Sequence, residues 1–116
     1  MKYEEVKEMM PEIKIGSGRK IVDGKRTRMQ GYSRKCAQQI TETLLDKKAA
    51  LISAVGDAAN NQMISAMIYT QRSLAKHNKT MSVNFSSKFE DIEAHDNSEG
   101  FRMKINQIEV RLIELA

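Results

Sequence analysis

The chain has 116 residues, of which 41% are hydrophobic and 29% charged, and its formal net charge is +4. This length predicts a single domain with a modest core. No apolar run approaches the roughly 20 residues that a membrane-spanning helix needs, which excludes an integral helical membrane protein.

The N-terminal part of the chain predicts an arm followed by a short strand. Residues 1–11 are rich in charge and end at Pro11, the only proline, so we expect a flexible N-terminal arm without a signal-peptide core. Residues 12–116 then form the single domain. The segment EIKIGSG alternates Ile13 and Ile15 with polar residues and stops at glycines, which predicts a half-buried strand.

A strongly basic stretch follows this strand. Residues 16–36 contain seven basic residues and one acid, Asp23. The basic residues are Arg19, Lys20, Lys25, Arg26, Arg28, Arg34 and Lys35. Gly24 and Gly31 predict a long loop. So many like charges repel one another, which favours an anionic partner, although a solvated loop is the alternative.

Two amphipathic helices with a buried strand between them are predicted next. Ser33 is a suitable N-cap for the first helix, and AALISAVG is typical of a central strand. Asp57 can cap the second helix. Apolar residues recur at helical spacing in both helices, and these predict the core: Cys36, Ala37, Ile40, Thr43, Leu44, Ala59, Met63, Ile64, Ala66, Met67, Ile68, Leu74 and Ala75.

The C-terminal third predicts an antiparallel hairpin. TMSVNFSSKFEDIE and GFRMKINQIEVRLIEL both alternate apolar with polar residues, and an acidic tip at residues 90–99 joins them. The second segment changes register, so we expect a bulge near Asn106 and Gln107. The predicted order is βαβαββ: an α+β two-layer sandwich, with a four-stranded mixed sheet covered by two helices on one face.

The sequence shows no recognisable catalytic motif. Cys36 is the only cysteine, which favours an intracellular setting, in the nucleus or the cytoplasm. Cys36, His77 and His95 lack metal-site spacing, and the segment GSGRK lacks the spacing of a phosphate-binding loop. We therefore expect no metal, no cofactor, no small-molecule substrate and no enzymatic activity.

The middle of the chain resembles a known family. ALISAVGDAANNQMISAMIYTQRSL is similar to the second strand, glycine turn and second helix of the Alba superfamily, and NQIEVRLIEL is similar to its last strand. The resemblance implies a dimeric nucleic-acid-binding fold, in which the second helix and the hairpin side of the sheet pair with a copy or with another Alba-like chain.

The resemblance also sets the functional expectation. It implies a non-enzymatic RNA-binding protein or ribonucleoprotein component that contacts phosphates through the basic loop. The alternatives are a chromatin-type protein that binds duplex DNA, and a structural subunit of a ribonucleoprotein. The acidic tip disfavours the DNA alternative. Tyr32 could stack on a base or simply anchor the first helix.

Overall fold

A computed structural model describes residues 10–93 and 99–115. These residues form six strands and two helices. In chain order they are β1 (Glu12–Ile15), β2 (Arg19–Val22), β3 (Lys25–Arg28), α1 (Tyr32–Lys47), β4 (Ala49–Ala54), α2 (Asp57–Ala75), β5 (Lys79–Ile92) and β6 (Phe101–Glu114). Most of the predicted arm, residues 1–9, and residues 94–98 of the predicted tip lie outside the described residues.

The main sheet has the strand order β1-β4-β6-β5. Strands β1 and β4 are parallel, whereas β4–β6 and β5–β6 are antiparallel. The predicted α+β class, with two helices and a four-stranded mixed sheet, is therefore confirmed for the described residues.

The core lies between the two helices and one face of this sheet. Ala50, Ile52 and Ala54 alternate along β4 and are buried in one cluster with residues of both helices. Leu51 and Ser53, on the opposite face of β4, are also buried. The continuous small and apolar run of AALISA is thus explained by a central strand that is covered on both faces.

Strand β6 changes the face on which it buries apolar side chains. Ile108 and Val110 are buried with the helices, whereas Ile105 is buried on the opposite face of the sheet. Pairing with β5 runs without interruption from Phe101 to Glu114. The predicted bulge is therefore wrong: the pairing keeps one register, and residues 107–110 are buried on both faces, with Gln107 and Glu109 on the face of Ile105.

The basic stretch is a β-hairpin and not the predicted long loop. Strands β2 and β3 pair antiparallel in a separate two-stranded sheet. Asp23 and Gly24 connect them with φ values of 52° and 77°, the left-handed conformation required at both central positions of a type I′ turn. The Asp-Gly pair was the sequence signal for this hairpin.

The helix starts differ from the prediction by one or two residues. Helix α1 begins at Tyr32 after Gly31, so Ser33 lies inside the helix, and no side chain caps that end. Helix α2 begins at Asp57 itself, after Gly56, without a side-chain cap. Thr43 is partly exposed, and Thr41, two residues earlier, is buried instead.

The buried half of β6 can be tested with two isoleucines on that strand. Ile108 is 1% exposed and Ile113 is 41% exposed. We expect Ile108→Ala to lower the free energy of unfolding by about 2–5 kcal/mol, because it removes core contacts and leaves a cavity. Ile113→Ala is the control, and we expect it to cost less than about 1 kcal/mol. Urea denaturation at one protein concentration measures both; equal losses would contradict the assigned faces.

Candidate binding surfaces

The five basic residues of the hairpin are exposed and divide between its two faces. Arg19 lies opposite Arg28, and Ile21 lies opposite Arg26. Cross-strand partners share a face and alternate residues lie on opposite faces. The three arginines therefore share one face of the hairpin, while Lys20 and Lys25 lie on the other.

The base of the hairpin is fixed against both helices. The backbone N–H of Met29 donates a hydrogen bond to the carbonyl of Gly18 over 2.8 Å. Gly18 is buried with a φ of 75°, and a Cβ there would lie 2.8 Å from Nε2 of Gln62 and 3.0 Å from Cδ2 of Tyr32. Only glycine fits both the backbone conformation and this close approach.

Tyr32 anchors the end of β1 to the start of α1. Its hydroxyl accepts a hydrogen bond from the backbone N–H of Gly16 over 2.7 Å. Burial raises the pKa of Tyr32, and burial likewise raises the pKa of the neighbouring Cys36 thiol. Both groups therefore stay protonated at neutral pH, and the anchoring role is the one that the geometry supports.

A polar cleft lies between the hairpin base, the start of α1 and the first half of α2. Its volume is about 450 Å³. We call it the hairpin cleft, and it is lined by Ser17, Arg19, Arg28, Ser33, Ala58, Asn61, Gln62 and Ser65. Of the predicted basic residues, the cleft thus brings together two, Arg19 and Arg28.

A groove between α1 and α2 leads away from the hairpin cleft. The part of this groove next to the hairpin cleft is lined by three residues that also line the cleft, Arg28, Ser33 and Gln62. It extends from there to Arg34 and Tyr69. The guanidinium groups of Arg34 and Arg72 lie 5.2 and 5.9 Å from the centre of the Tyr69 ring. Such distances are typical of cation–π contacts.

Sequence reasoning missed Gln62, Tyr69 and Arg72 as candidates. Gln62 and Tyr69 are seven residues apart, and Tyr69 and Arg72 are three residues apart, so all three lie on one side of α2. This helical spacing was the sequence signal that could have identified them. Lys35, by contrast, was predicted as a site residue but does not line the hairpin cleft or this groove.

A second surface is apolar and lies on a different side of α2. Ile64 and Ile68 are 48% and 47% exposed, so the prediction that they are buried is wrong. On β5, Val83 and Phe85 are 42% and 67% exposed. They pair with Val110 and Ile108, which places them on the sheet face that carries the helices. We call these four exposed side chains the α2–β5 face.

The described residues show neither a metal site nor a membrane span. Within residues 10–93 and 99–115 no group of three or more His, Cys, Asp or Glu side chains could hold a metal ion. In the same part of the chain no helix combines the length and the hydrophobicity needed to cross a bilayer.

The fold and its two surfaces define a small α+β protein with a basic hairpin and an exposed apolar face. The family model described as Stage V sporulation protein S (SpoVS) matches residues 28–109. The chain belongs to the SpoVS family. No curated protein matched the chain in a sequence comparison.

This assignment overturns the resemblance to the Alba superfamily, because SpoVS is a different family and no Alba family matched. The functional expectations that rested on the resemblance are therefore wrong. The chain was expected to be an RNA-binding protein or a ribonucleoprotein component, with a chromatin-type protein and a structural subunit of a ribonucleoprotein as the alternatives. The residues that carried the resemblance are mostly core and turn positions, such as Ala50, Ile52 and Gly56. Any sheet-and-helix unit of this order needs small and apolar residues there.

The anchoring role of Tyr32 can be measured as stability. We expect Tyr32→Phe to lower the free energy of unfolding by about 1 kcal/mol, because the hydrogen bond to Gly16 is lost. Tyr69→Phe is the control, since the Tyr69 hydroxyl has no hydrogen bond among the described residues, and we expect a change below about 0.5 kcal/mol.

The effect of pH gives a second readout for the same variants. The pKa of Tyr32 is raised in the folded state, so the unfolded state loses this proton first and stability falls as pH rises above about 10. Tyr32→Phe should flatten that fall relative to Tyr69→Phe in denaturant titrations. Identical pH profiles for the two variants would contradict the assigned environment of Tyr32.

Proposed function

We propose that this chain is a self-associating binding protein of the sporulation programme, in which two copies join through the α2–β5 face. The role in sporulation is taken from the name of the family, Stage V sporulation protein S. The observation that carries the self-association is the exposed apolar surface formed by α2 and β5.

The exposure of this surface argues for a partner. Ile64, Ile68, Val83 and Phe85 each leave more than two fifths of their surface in water. Scattered apolar residues are ordinary on a protein surface, whereas contiguous ones mark interaction sites. Here two come from a helix and two from the neighbouring edge strand, and the two elements pack against each other.

The scarcity of charge along this surface favours a second copy as the partner. The exposed side of α2 that carries Ile64 and Ile68 begins at Asp57 and is otherwise uncharged, with Asn60, Gln71 and Ala75 at the same helical spacing. On β5, residues 80–87 are uncharged, and Lys79 and Lys88 flank them. In a two-fold symmetric contact the same patch meets itself, so any charge near the axis would face its own copy.

Two further expectations from the sequence remain predictions within this proposal. A protein that works by binding would not be an enzyme, and the single Cys36 favours an intracellular setting. Pairing with a different, Alba-like chain has no support once the family is SpoVS.

Self-association can be tested by placing a charge on the α2–β5 face. We expect the wild-type protein to sediment at about twice its chain mass of 13.2 kDa at micromolar concentration. Ile68→Glu should weaken the dimer at least about 100-fold, because each copy buries an unpaired carboxylate. Sedimentation equilibrium measures both.

The matched control is Ile21→Glu, which makes the same change at an exposed isoleucine of the hairpin. It should leave the dimer intact, and circular dichroism should show both variants folded. A wild-type monomer at 100 μM, or equal weakening by the two variants, would overturn the proposed interface.

The role in sporulation needs a separate experiment in the host. Deleting the gene should lower the yield of heat-resistant spores, and the wild-type chain should restore it. Complementation with Ile68→Glu should fail, whereas complementation with Ile21→Glu should succeed. A normal spore yield in the deletion strain would contradict the sporulation role without affecting the dimer measurement.

A further inference from the structure

We propose that the hairpin cleft binds the phosphate group of a small phosphorylated ligand. The ligand would be bound and not converted, and the cleft lies on a different side of α2 from the α2–β5 face. Four features carry this assignment: the placement of two arginines, the number of neutral donors, the fixed shape of the cleft and its position in the fold.

The first feature is a pair of like charges held together by the hairpin. Arg19 and Arg28 are direct cross-strand partners, so their Cβ atoms are separated by about 5 Å. Like charges in that position destabilise a hairpin. Within the described residues neither arginine takes part in an ion pair, and no acidic residue lines the cleft. A bound anion would remove the repulsion and accept hydrogen bonds from both guanidinium groups.

The second feature is the set of neutral donors around the arginines. The cleft adds hydroxyl groups from three serines and side-chain amides from Asn61 and Gln62. A carboxylate has two oxygens to accept hydrogen bonds, whereas a phosphate monoester has three terminal oxygens and carries up to two negative charges. The number of donors and the double positive charge therefore suit phosphate better.

The third feature is that the walls of the cleft are fixed by packing. Gly18 packs closely against Gln62, and Ser33 and Ser65 belong to the two helices, whose buried faces share one core. A site held in shape before binding loses little entropy when its ligand arrives. The volume of about 450 Å³ exceeds that of one phosphate and leaves room for a small organic part.

The fourth feature is the position of the cleft in the sheet. Strands β1 and β4 are parallel, and Ile15 and Ala54 are partners where the two strands end. The hairpin follows β1, and α2 follows β4, so the cleft lies beyond the carboxyl ends of adjacent parallel strands. Open sheets commonly bind their ligands at this edge.

The test uses inorganic phosphate with the full-length chain. Phosphate is titrated into ¹⁵N-labelled protein at constant ionic strength, and backbone amide shifts are followed by NMR. We expect saturable shifts centred on Ser17, Ser33, Asn61 and Ser65. Arg19→Gln and Arg28→Gln should each weaken binding at least about tenfold, because each removes a charge-assisted donor.

Arg26→Gln is the matched control, since Arg26 has the same charge and lies on the same hairpin face but outside the cleft. It should weaken binding less than about twofold. Weakening equal to that of Arg28→Gln would overturn the site in favour of diffuse attraction, as would shifts spread over the whole basic surface.

Two further titrations decide the class of ligand. Acetate should bind at least about tenfold more weakly than phosphate; equal affinity would overturn the assignment to phosphate. Single-stranded oligonucleotides of increasing length should gain no affinity beyond their terminal phosphate. Affinity that grows with length and falls equally in all three variants would show a surface for a polymer and overturn the small-ligand site.

Discussion

The burial of β4 on both faces is the constraint on which the rest of the structure depends. Ala50 and Ile52 are buried in one core cluster with residues of both helices, and Leu51 is buried on the opposite face of the sheet. Strands β1 and β6 flank β4 and satisfy its backbone hydrogen bonds. The end of β1 is thereby fixed beside the end of β4, at the pair Ile15 and Ala54. The hairpin and α2 both start from this edge, which is why a cleft forms between them.

Most of this framework could be predicted from the sequence because it follows from burial. The apolar spacing of α1 and α2 and the continuous run of β4 correctly predicted both helices, the central strand and most core positions. Ile64 and Ile68 were assigned to the core wrongly, since periodicity shows that a helix side is apolar but not whether another element covers it. The same limit produced the false bulge in β6, where the pairing is uninterrupted and both faces are buried from Gln107 to Val110.

The hairpin shows a different limit, which is that glycines were assigned to a loop without regard to turn chemistry. Gly24 and Gly31 predicted a long loop, although Asp23 and Gly24 carry the signal of a type I′ turn between two short strands. The pairing matters for the proposed phosphate site, because it sets Arg19 against Arg28 and separates both from Lys20 and Lys25. Charge alone indicated an anionic partner of any kind, and only the hairpin geometry selects two arginines for one cleft.

Helix α2 contributes residues to the core, to the hairpin cleft and to the α2–β5 face. One side packs in the core, a second lines the hairpin cleft through Asn61 and Ser65, and a third presents Ile64 and Ile68. Its 19 residues include only two charged ones, Asp57 and Arg72. A helix that merely covered a sheet would turn a charged side to water. The scarcity of charge is visible in the sequence, and it accords with the two binding surfaces that we propose on the exposed sides of this helix.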